Sequence, residues 1–274
     1  MSSPTTFNNA KLENEFNQQG FVRFNVLNGR EVEMLLNEYN QLPRPKDSGF
    51  HCTMFSPNSK IRERADLALK NSISHKLNSV FCEHQALYGN FMVKEPGVES
   101  DWFVHQDWSY VDETQNVSVA VWIPLVDLTE ENGVICVVPG SHKIENHVRG
   151  PGVNDPWQNL HESIKRKYHK KIYLKAGEAI IWHHRLVHFS PANMSEEPRV
   201  AGTLIYTPKN ASVVHFWKDP ILNRSLVNSY LVDSSFFMSY DIINEPSGVA
   251  RGEQAESDFP TINQDQLLSV FKTN

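Results

Sequence analysis

Two segments in the first third of the chain carry apolar residues at helical spacing. In the first, apolar side chains recur every three or four positions after Asn28, a residue type that caps helix N termini; they are Val32, Leu35, Leu36 and Tyr39. The second covers about residues 61–80, and its apolar side consists of Ile61, Ala65, Leu67, Ala68, Ile73, Leu77 and Val80. The pattern predicts two amphipathic helices that pack outside a sheet.

From about Ala86 onward the pattern changes to short runs rich in β-branched and aromatic residues. Gly, Pro, Asn and Asp separate these runs and favour turns between them. The runs read LYGNFMV, VSVAVWIPL, GVICVVP, KIYL, EAIIWH and VAGTLIY. The double-stranded β-helix, a cupin-like jelly roll, accommodates such strands and can hold a ligand cluster at its mouth. We therefore predict a mainly β fold with flanking helices.

Length and composition fit one domain over residues 1–274, because a chain with 40% hydrophobic content can bury one good core at this size. We expect a helical N-terminal part at 1–85, the jelly-roll core at about 86–207 and a substrate-side part at 208–274. Between two predicted strands, residues 141–171 are expected to form a partly ordered lid or side excursion.

The composition narrows the class of partner. A formal charge of −6 argues against nucleic acid, and no window is apolar enough for long enough to span a membrane. The basic run SIKRKYHKK at 163–171 is expected to be a solvated helix end or loop rather than a phosphate-binding patch. A small-molecule partner is the remaining expectation, and the pattern predicts no oligomeric state.

The cysteines and the N-terminal segment bear on location. Cys52, Cys82 and Cys136 are an odd, sparse set without CxxC spacing, which favours a reducing compartment over a disulfide framework. The N-terminal segment has no basic start followed by an apolar stretch, as a signal peptide would. We therefore expect a cytoplasmic protein.

The most informative polar residues are an HxD pair and one distant histidine. Residues i and i+2 of a strand point to the same face, so a strand at 104–108 would aim His105 and Asp107 into one cavity. His188, about eighty residues later, is the expected third ligand, on a strand that follows Gly177. Two histidines and one carboxylate on one side of iron(II) leave three coordination positions open.

His184 is the competing third ligand, because His184 and His188 would share a face of a helix, as in zincin metal sites. The segment lacks the glutamate of an HExxH motif, and the preceding EAIIW favours a strand. We therefore select His188. Four further histidines receive no role: His147, His161, His169 and His215.

Arg199, eleven residues after His188, makes the pattern more specific. An oxygen-activating iron site needs a two-electron co-substrate, and a guanidinium can grip the distal carboxylate of 2-oxoglutarate with two parallel hydrogen bonds. If His188 and Arg199 lie on neighbouring antiparallel strands joined by the turn-rich SPANMSEEP, both face the same cavity.

With these residues the chain resembles the phytanoyl-CoA dioxygenase family of iron(II)- and 2-oxoglutarate-dependent oxygenases. The similarity runs from about residue 18 to 207. The opening QQGFVRFNVLNGREVEMLL is similar to the first strand and helix of that family, and VWIPLVDLTEENGVICVVPGSHK matches its block ending in PGSH. From Lys209 onward the chain departs from the pattern, so we expect the remaining residues to be specific to its substrate.

The resemblance implies ligands residue by residue. Iron(II) is implied at His105, Asp107 and His188. The co-substrate 2-oxoglutarate is implied at Arg199, Ser190, Trp122 and Asn90, with O2 as the second co-substrate. Without the resemblance, Trp122 fits a packed core aromatic equally well, Ser190 a turn residue and Asn90 a partner of the backbone.

For the reaction, hydroxylation of an unactivated C–H bond is the default that the resemblance implies, and desaturation or oxidative cyclisation would use the same ligands. Related halogenases replace the carboxylate ligand with a small residue, so Asp107 argues against halogenation. We expect a free amino acid or a natural-product intermediate as substrate rather than an acyl-CoA, because no basic cluster accompanies the motif. Trp108 and Tyr110, directly after the HxD pair, are expected on the substrate side.

Two other classes remain open at this point. The three ligands alone permit a cupin-like metal-binding protein or lyase that oxidises nothing, although the spacing to Arg199 disfavours it. A hydroxylase of peptide side chains would use the same cofactors and would need an extended groove.

Overall fold

The computed structural model describes residues 5–45, 49–144, 146–219, 221 and 225–272. The helices are α1 (Ala10–Gln19), α2 (Gly29–Asn40), α3 (Ser59–Leu77), α4 (His161–Arg166), α5 (Ser234–Ser239) and α6 (Gln264–Lys272). The strands are β1 (Phe21–Asn25), β2 (Phe50–Cys52), β3 (His84–Lys94), β4 (Trp102–His105), β5 (Val119–Pro124), β6 (Ile135–Val137), β7 (Lys170–Ile172), β8 (Glu178–His183), β9 (His188–Ser190), β10 (Arg199–Pro208), β11 (Val213–Trp217), β12 (Leu226–Val232) and β13 (Ala255–Glu256).

Two antiparallel sheets form the centre of the fold. The larger has the order β1-β8-β5-β10-β3-β2, and the smaller has the order β4-β9-β6-β7. A third sheet, β11-β12-β13, is built by the C-terminal part. The predicted mainly β fold with flanking helices is thus confirmed, and no helix in the described ranges has the length and apolar character that crossing a membrane requires.

The alternation of side chains along β5 shows that the two faces of the larger sheet pack into two separate hydrophobic cores. Val119, Val121 and Ile123 point to one face, where they pack with apolar residues of α1, α2 and α3. Ala120 and Trp122 point to the other face, where they share a core with residues of the smaller sheet. The larger sheet therefore lies between the helices and the smaller sheet.

Both helices that the hydrophobic spacing predicts are present. Asn28 caps α2 in a capping box with Glu31: Asn28 Oδ1 accepts from the Glu31 amide at 3.1 Å, and the Glu31 carboxylate accepts from the Asn28 amide at 2.8 Å. The second predicted helix is α3, which begins at Ser59 and ends at Leu77. An additional helix, α1, buries Phe16 in the same core.

Two expectations about strands are wrong. β4 ends at His105, so Asp107 lies in the loop that follows and strand alternation does not place it. β9 pairs with β4 and β6, whereas β10 pairs with β3 and β5, so His188 and Arg199 lie in different sheets. Arg199 reaches β9 from the larger sheet through a hydrogen bond from its Nη1 to Ser190 Oγ, rather than along a hairpin.

The segment 141–171 crosses from the smaller sheet to the C-terminal part. Its middle packs directly on β11 and the residue that follows it: Gly152 has φ +76°, and a Cβ there would lie 2.0 Å from the carbonyl oxygen of Lys218. Its end forms α4, whose Ile164 joins the core on the outer face of the smaller sheet. The predicted side excursion is thus an ordered wall over most of its described length.

Candidate metal centre

Three side chains converge at one end of the smaller sheet. His105 ends β4, His188 begins β9 directly opposite it in the antiparallel register, and Asp107 curls back from the loop after β4. One ligand atom from each lies within 4.8 Å of the others. Asp107 Oδ1 is 3.9 Å from His105 Nε2 and 3.8 Å from His188 Nε2. The predicted triad is therefore a spatial cluster.

Backbone carbonyls fix the orientation of both imidazoles. The His105 Nδ1–H donates to the Phe103 carbonyl at 2.8 Å, and the His188 Nδ1–H donates to the Leu186 carbonyl at 2.9 Å. This pattern leaves Nε2 as the acceptor nitrogen of both rings, and the Trp102 indole Nε1–H donates to His105 Nε2 at 3.3 Å. Metal-binding histidines are commonly held in this way through the other ring nitrogen.

Trp182 fixes the carboxylate. Its indole Nε1–H donates to Asp107 Oδ2 at 2.7 Å, which leaves Oδ1 facing the two imidazoles. Trp182 lies on β8 of the larger sheet, so the contact joins the two sheets at the cluster. No local sequence signal identified this residue.

The protonation states suit a metal ligand set. Burial lowers the pKa of His105 to about 4, so its imidazole is neutral at neutral pH. Burial alone would raise the pKa of Asp107, but the adjacent histidines and the Trp182 hydrogen bond outweigh it and hold that pKa below its usual value. Two histidines and one carboxylate with open coordination positions are the donor set of non-haem iron(II) sites.

His184 lies outside the cluster. It is completely buried, and its Nδ1 shares a hydrogen bond of 2.6 Å with Ser118 Oγ. Gln106, between the two HxD ligands, points away from the cluster and accepts from the Trp157 indole at 3.1 Å. Both placements agree with the selection of His188 and with the predicted orientation of Gln106.

Arg199 is a buried cation without an anionic partner. Its side chain is 2% exposed, and Nη1 donates to the Gly133 carbonyl at 3.0 Å and to Ser190 Oγ at 3.3 Å. The guanidinium lies over the Trp122 ring at 5.1 Å. Within the described ranges no carboxylate forms an ion pair with it, and Nε has no acceptor. Burial lowers its pKa to about 9, so it is still charged at neutral pH.

Ser190 and Trp122 connect Arg199 with the metal-ligand cluster. Ser190 follows His188 by two residues on β9, and Trp122 packs near Trp182 with ring centroids 6.5 Å apart. Arg199 also shares the inner face of β10 with Thr203, which lines the cavity beside the cluster. The predicted residues Arg199, Ser190 and Trp122 therefore form one group directly behind the cavity wall.

Asn90 lies on the wall itself. It is opposite Thr203 in the β3–β10 register, and its Oδ1 accepts from Cys52 Sγ at 3.0 Å. The side chain is thus anchored at one end and faces the cavity, as the resemblance implied for a pocket residue.

The cavity has a volume of about 460 Å³ and opens beside the cluster. Both residues predicted on the substrate side, Trp108 and Tyr110, line it. The Tyr110 hydroxyl is hydrogen-bonded to that of Tyr88. The segment 147–156 forms one side of the cavity, so the excursion that the sequence predicted contributes a wall.

Two buried basic side chains near the site, Lys94 and Arg149, were not predicted, and burial lowers the pKa of Lys94 to about 6. Lys94 Nζ donates to the carbonyls of Ser100, Ser190 and Pro191, and so ties β3 to the turn after β9. Arg149 Nε donates to the Asp107 carbonyl at 2.6 Å, while its Nη2 binds both carboxylate oxygens of Glu113 at 2.7 and 2.8 Å. Neither residue stands in a motif.

Comparisons with known proteins identify relatives of this chain. The family model described as phytanoyl-CoA dioxygenase (PhyH) matches residues 16–201. A phytanoyl-CoA dioxygenase of Arabidopsis thaliana is 33% identical over 118 residues, which are 42% of this chain and 41% of that protein. A phytanoyl-CoA dioxygenase domain-containing protein 1 homolog of Dictyostelium discoideum is 23% identical over 186 residues, 65% of this chain and 66% of its own.

Solved structures share the fold. HygX from Streptomyces hygroscopicus, with nickel, 2-oxoglutarate and hygromycin B bound, is 18% identical, covers 74% of this chain and 88% of its own, and has a TM-score of 0.54. SnoK, a non-heme alpha ketoglutarate dependent carbocyclase from nogalamycin biosynthesis, is 19% identical, covers 77% and 89%, and has a TM-score of 0.52. The likeness confirms the predicted jelly-roll fold.

Proposed function

The chain belongs to the phytanoyl-CoA dioxygenase family, and from that premise we propose that it is an iron(II)- and 2-oxoglutarate-dependent oxygenase. The proposed iron ligands are His105, Asp107 and His188. The proposed 2-oxoglutarate residues are Arg199, Ser190, Trp122 and Asn90. With iron(II) bound, the keto acid would supply two of the four electrons that reduce O2 and the substrate would supply the other two, with succinate, carbon dioxide and the oxidised substrate as products.

The unpaired guanidinium of Arg199 is the observation that carries this proposal. A buried charge without a partner is costly, so a site that keeps one is built for a ligand of opposite charge. A carboxylate placed beside Arg199 and Ser190 would complete the ion pair and give Nε an acceptor. A cupin-like protein that only binds a metal has no use for this second charge, which disfavours that alternative.

The residues of the chain have separate tasks in the proposed reaction. The carbonyl-anchored imidazoles and the indole-anchored carboxylate would hold the metal, and His105 Nε2 would exchange its hydrogen bond from Trp102 for it. Arg199 orients the keto acid from its distal end. The apolar side chains of the cavity exclude water and hold the substrate C–H bond beside the metal.

The proposed reaction is hydroxylation of an unactivated C–H bond of a small molecule, such as an amino acid or a natural-product intermediate. Asp107 supports an oxygenase over a halogenase, since the carboxylate ligand is present. Desaturation or oxidative cyclisation is the alternative outcome; the structural neighbours include a carbocyclase and an epimerase, SnoK and SnoN. The free Cys52, Cys82 and Cys136 support a reducing, cytoplasmic setting.

Anaerobic titration tests the proposal. Iron(II) and 2-oxoglutarate are added to the purified protein, and the weak visible charge-transfer band of a chelated keto acid is followed. We expect the band with both ligands together, its loss in His188→Ala and its retention in His75→Ala, which changes an exposed histidine on α3. Binding of iron without the band would contradict the keto-acid site and favour the metal-binding alternative.

A further inference from the structure

The charges on the cavity wall are all engaged. Among the described residues that line it, the formally charged side chains are Asp107, Arg149 and Asp155. Asp107 belongs to the candidate metal cluster, and Arg149 is ion-paired with the buried Glu113. Asp155 accepts from His161 Nε2 at 2.6 Å and from the Trp157 amide at 2.8 Å. The wall therefore offers no unpaired cation to a carboxylate or phosphate of a substrate.

Aromatic and aliphatic side chains dominate the rest of the wall. The aromatic members are Phe50, Phe55, Tyr88, Trp102, Phe103, Trp108, Tyr110 and Trp182. Three large apolar side chains of the lining are strongly exposed: Phe55 at 45%, Phe103 at 52% and Ile243 at 47%. An apolar ligand would remove this apolar surface from water, so the hydrophobic contribution to the binding free energy is largest for an apolar ligand.

His147 is a polar exception on this wall. The residue is 3% exposed and lines the cavity, yet neither ring nitrogen has a hydrogen-bond partner within the described ranges. Its backbone carbonyl accepts from Arg149 Nη1 at 2.7 Å and its ring packs on Phe259 at 5.2 Å. Both ring nitrogens are buried, so the ring has to turn slightly to bring one of them to a ligand in the cavity. Burial lowers the pKa of His147 to about 3, so the neutral ring presents one donor and one acceptor.

Buried polar atoms are rarely left without partners, and a ligand is one way to supply them. Resting on the proposed function, we propose that the cavity takes an uncharged, largely apolar, ring-bearing substrate, and that His147 makes a directional hydrogen bond to a hydroxyl or carbonyl of it. This narrows the substrate class, since a free amino acid and an acyl-CoA both bring charges that the wall leaves unpaired. His147 is then a specificity-determining residue on the wall formed by 147–156.

Matched ligands that differ in charge and in one polar group test the inference. The probes are 2-naphthol, naphthalene, 2-naphthoate, L-tryptophan and octanoyl-CoA. Binding is measured by isothermal titration calorimetry on protein loaded with manganese(II) and 2-oxoglutarate, so that the carboxylate probe cannot occupy the keto-acid position. The neutral probes are titrated again into metal-free protein. The second titration measures binding to the cavity without metal or keto acid. It can therefore support the substrate inference even if the charge-transfer band that tests the proposed function is not observed.

We expect 2-naphthol to bind most tightly. Naphthalene, which lacks the hydroxyl, should bind about tenfold more weakly, the value of one buried neutral hydrogen bond. 2-Naphthoate, L-tryptophan and octanoyl-CoA should each bind at least about tenfold more weakly than 2-naphthol, because their charges find no partner. Tighter binding of any of these three charged probes than of 2-naphthol would overturn the inference.

Variants of His147 isolate its hydrogen bond. His147→Leu should weaken 2-naphthol about tenfold and leave naphthalene unchanged, whereas His147→Gln, which keeps a donor and an acceptor, should restore part of the loss. His75→Leu serves as the control on α3, and circular dichroism checks that each variant is folded. An equal loss of both neutral probes in His147→Leu would indicate a packing role only and would overturn the assigned hydrogen bond.

Discussion

At the scale of single residues, the contact between Trp182 and Asp107 decides which carboxylate oxygen faces the imidazoles. Trp182→Phe removes the donor and keeps most of the packing. We expect affinity for iron(II) or manganese(II) to fall about 10- to 100-fold, as is typical when a group that orients a metal ligand is lost. Metal titration measures the change, with Trp217→Phe as control, since the Trp217 indole donates to a backbone carbonyl away from the ligands. Unchanged affinity would show that Asp107 is held by its loop alone.

Replacing Arg199 is expected to lower 2-oxoglutarate affinity without lowering the stability of the ligand-free protein. Arg199→Met should weaken 2-oxoglutarate binding by about 30-fold or more, because a charged hydrogen-bond partner is lost, while metal affinity is kept. Without ligand, the same variant should be as stable as the parent protein or more stable, because an unpaired buried charge has been removed. Thermal unfolding with and without 2-oxoglutarate measures both effects. A stabilisation by the keto acid that survives in Arg199→Met would contradict the assigned carboxylate site.

The residue scale also shows what the sequence can and cannot predict about the site. His105, Asp107 and His188 were predictable because an HxD pair with a distant histidine is a dense, specific signal. Trp182 and Arg149 were not, because each acts through a partner far away in sequence: Trp182 on Asp107 and Arg149 on Glu113. Such pairs come together only through the packing of sheets and loops.

At the scale of elements, Arg149 joins three segments: the loop of Asp107, the loop of Glu113 and the segment 146–157, which contains the wall residues 147–156. Glu113→Gln keeps the shape of the side chain but removes the charge that neutralises Arg149. We expect faster amide hydrogen exchange in 146–157 and a loss of about 3 kcal/mol in the free energy of unfolding, as for other broken buried ion pairs. Glu130→Gln is the matched control, since Glu130 pairs with Lys171 on the surface. Exchange that is equally slow in both variants would refute this role.

Periodicity predicted six of the thirteen described strands and two helices, and it failed where tertiary structure overrides it. The six predicted β-rich runs correspond to β3, β5, β6, β7, β8 and β10. No local signal predicts that β9 pairs with β4 instead of β10. β9 is short and β10 is almost uniformly apolar, so the hydrophobic pattern would allow either strand as the neighbour of β9. Helices α1 and α6 were missed because their apolar faces are narrow and only the sheets they cover define them.

At the scale of the whole molecule, buried histidines connect stability with pH. Burial lowers the pKa of seven histidines of the described chain below the usual 6.5: His51, His105, His142, His147, His183, His184 and His215. As pH falls below about 6.5, the unfolded chain binds protons that the folded chain does not bind. Stability should therefore decrease between pH 6.5 and about 4, a window that lies mostly above the titration of the carboxylates.

Urea unfolding at several pH values measures this decrease. Each pKa unit corresponds to about 1.4 kcal/mol, so several histidines together should remove several kcal/mol between pH 7 and pH 5. The slope of unfolding free energy against pH gives the number of protons taken up, which should exceed two at pH 5 and drop by up to one in His142→Gln. The exposed His75→Gln should leave the slope unchanged. A slope of one proton or less at pH 5 would contradict the burial of these rings as neutral groups.

The contacts of Arg149 have a practical consequence for exchanging loops between relatives. A graft that replaced only 146–157 would bring a new wall but leave Glu113 without its guanidinium and the Asp107 carbonyl without its donor. Gly152 packs against the Lys218 carbonyl, so the segment that follows β11 would also have to match the new wall. The transferable module is thus discontinuous in sequence, and a chimera designed to acquire a new substrate range has to move these segments together.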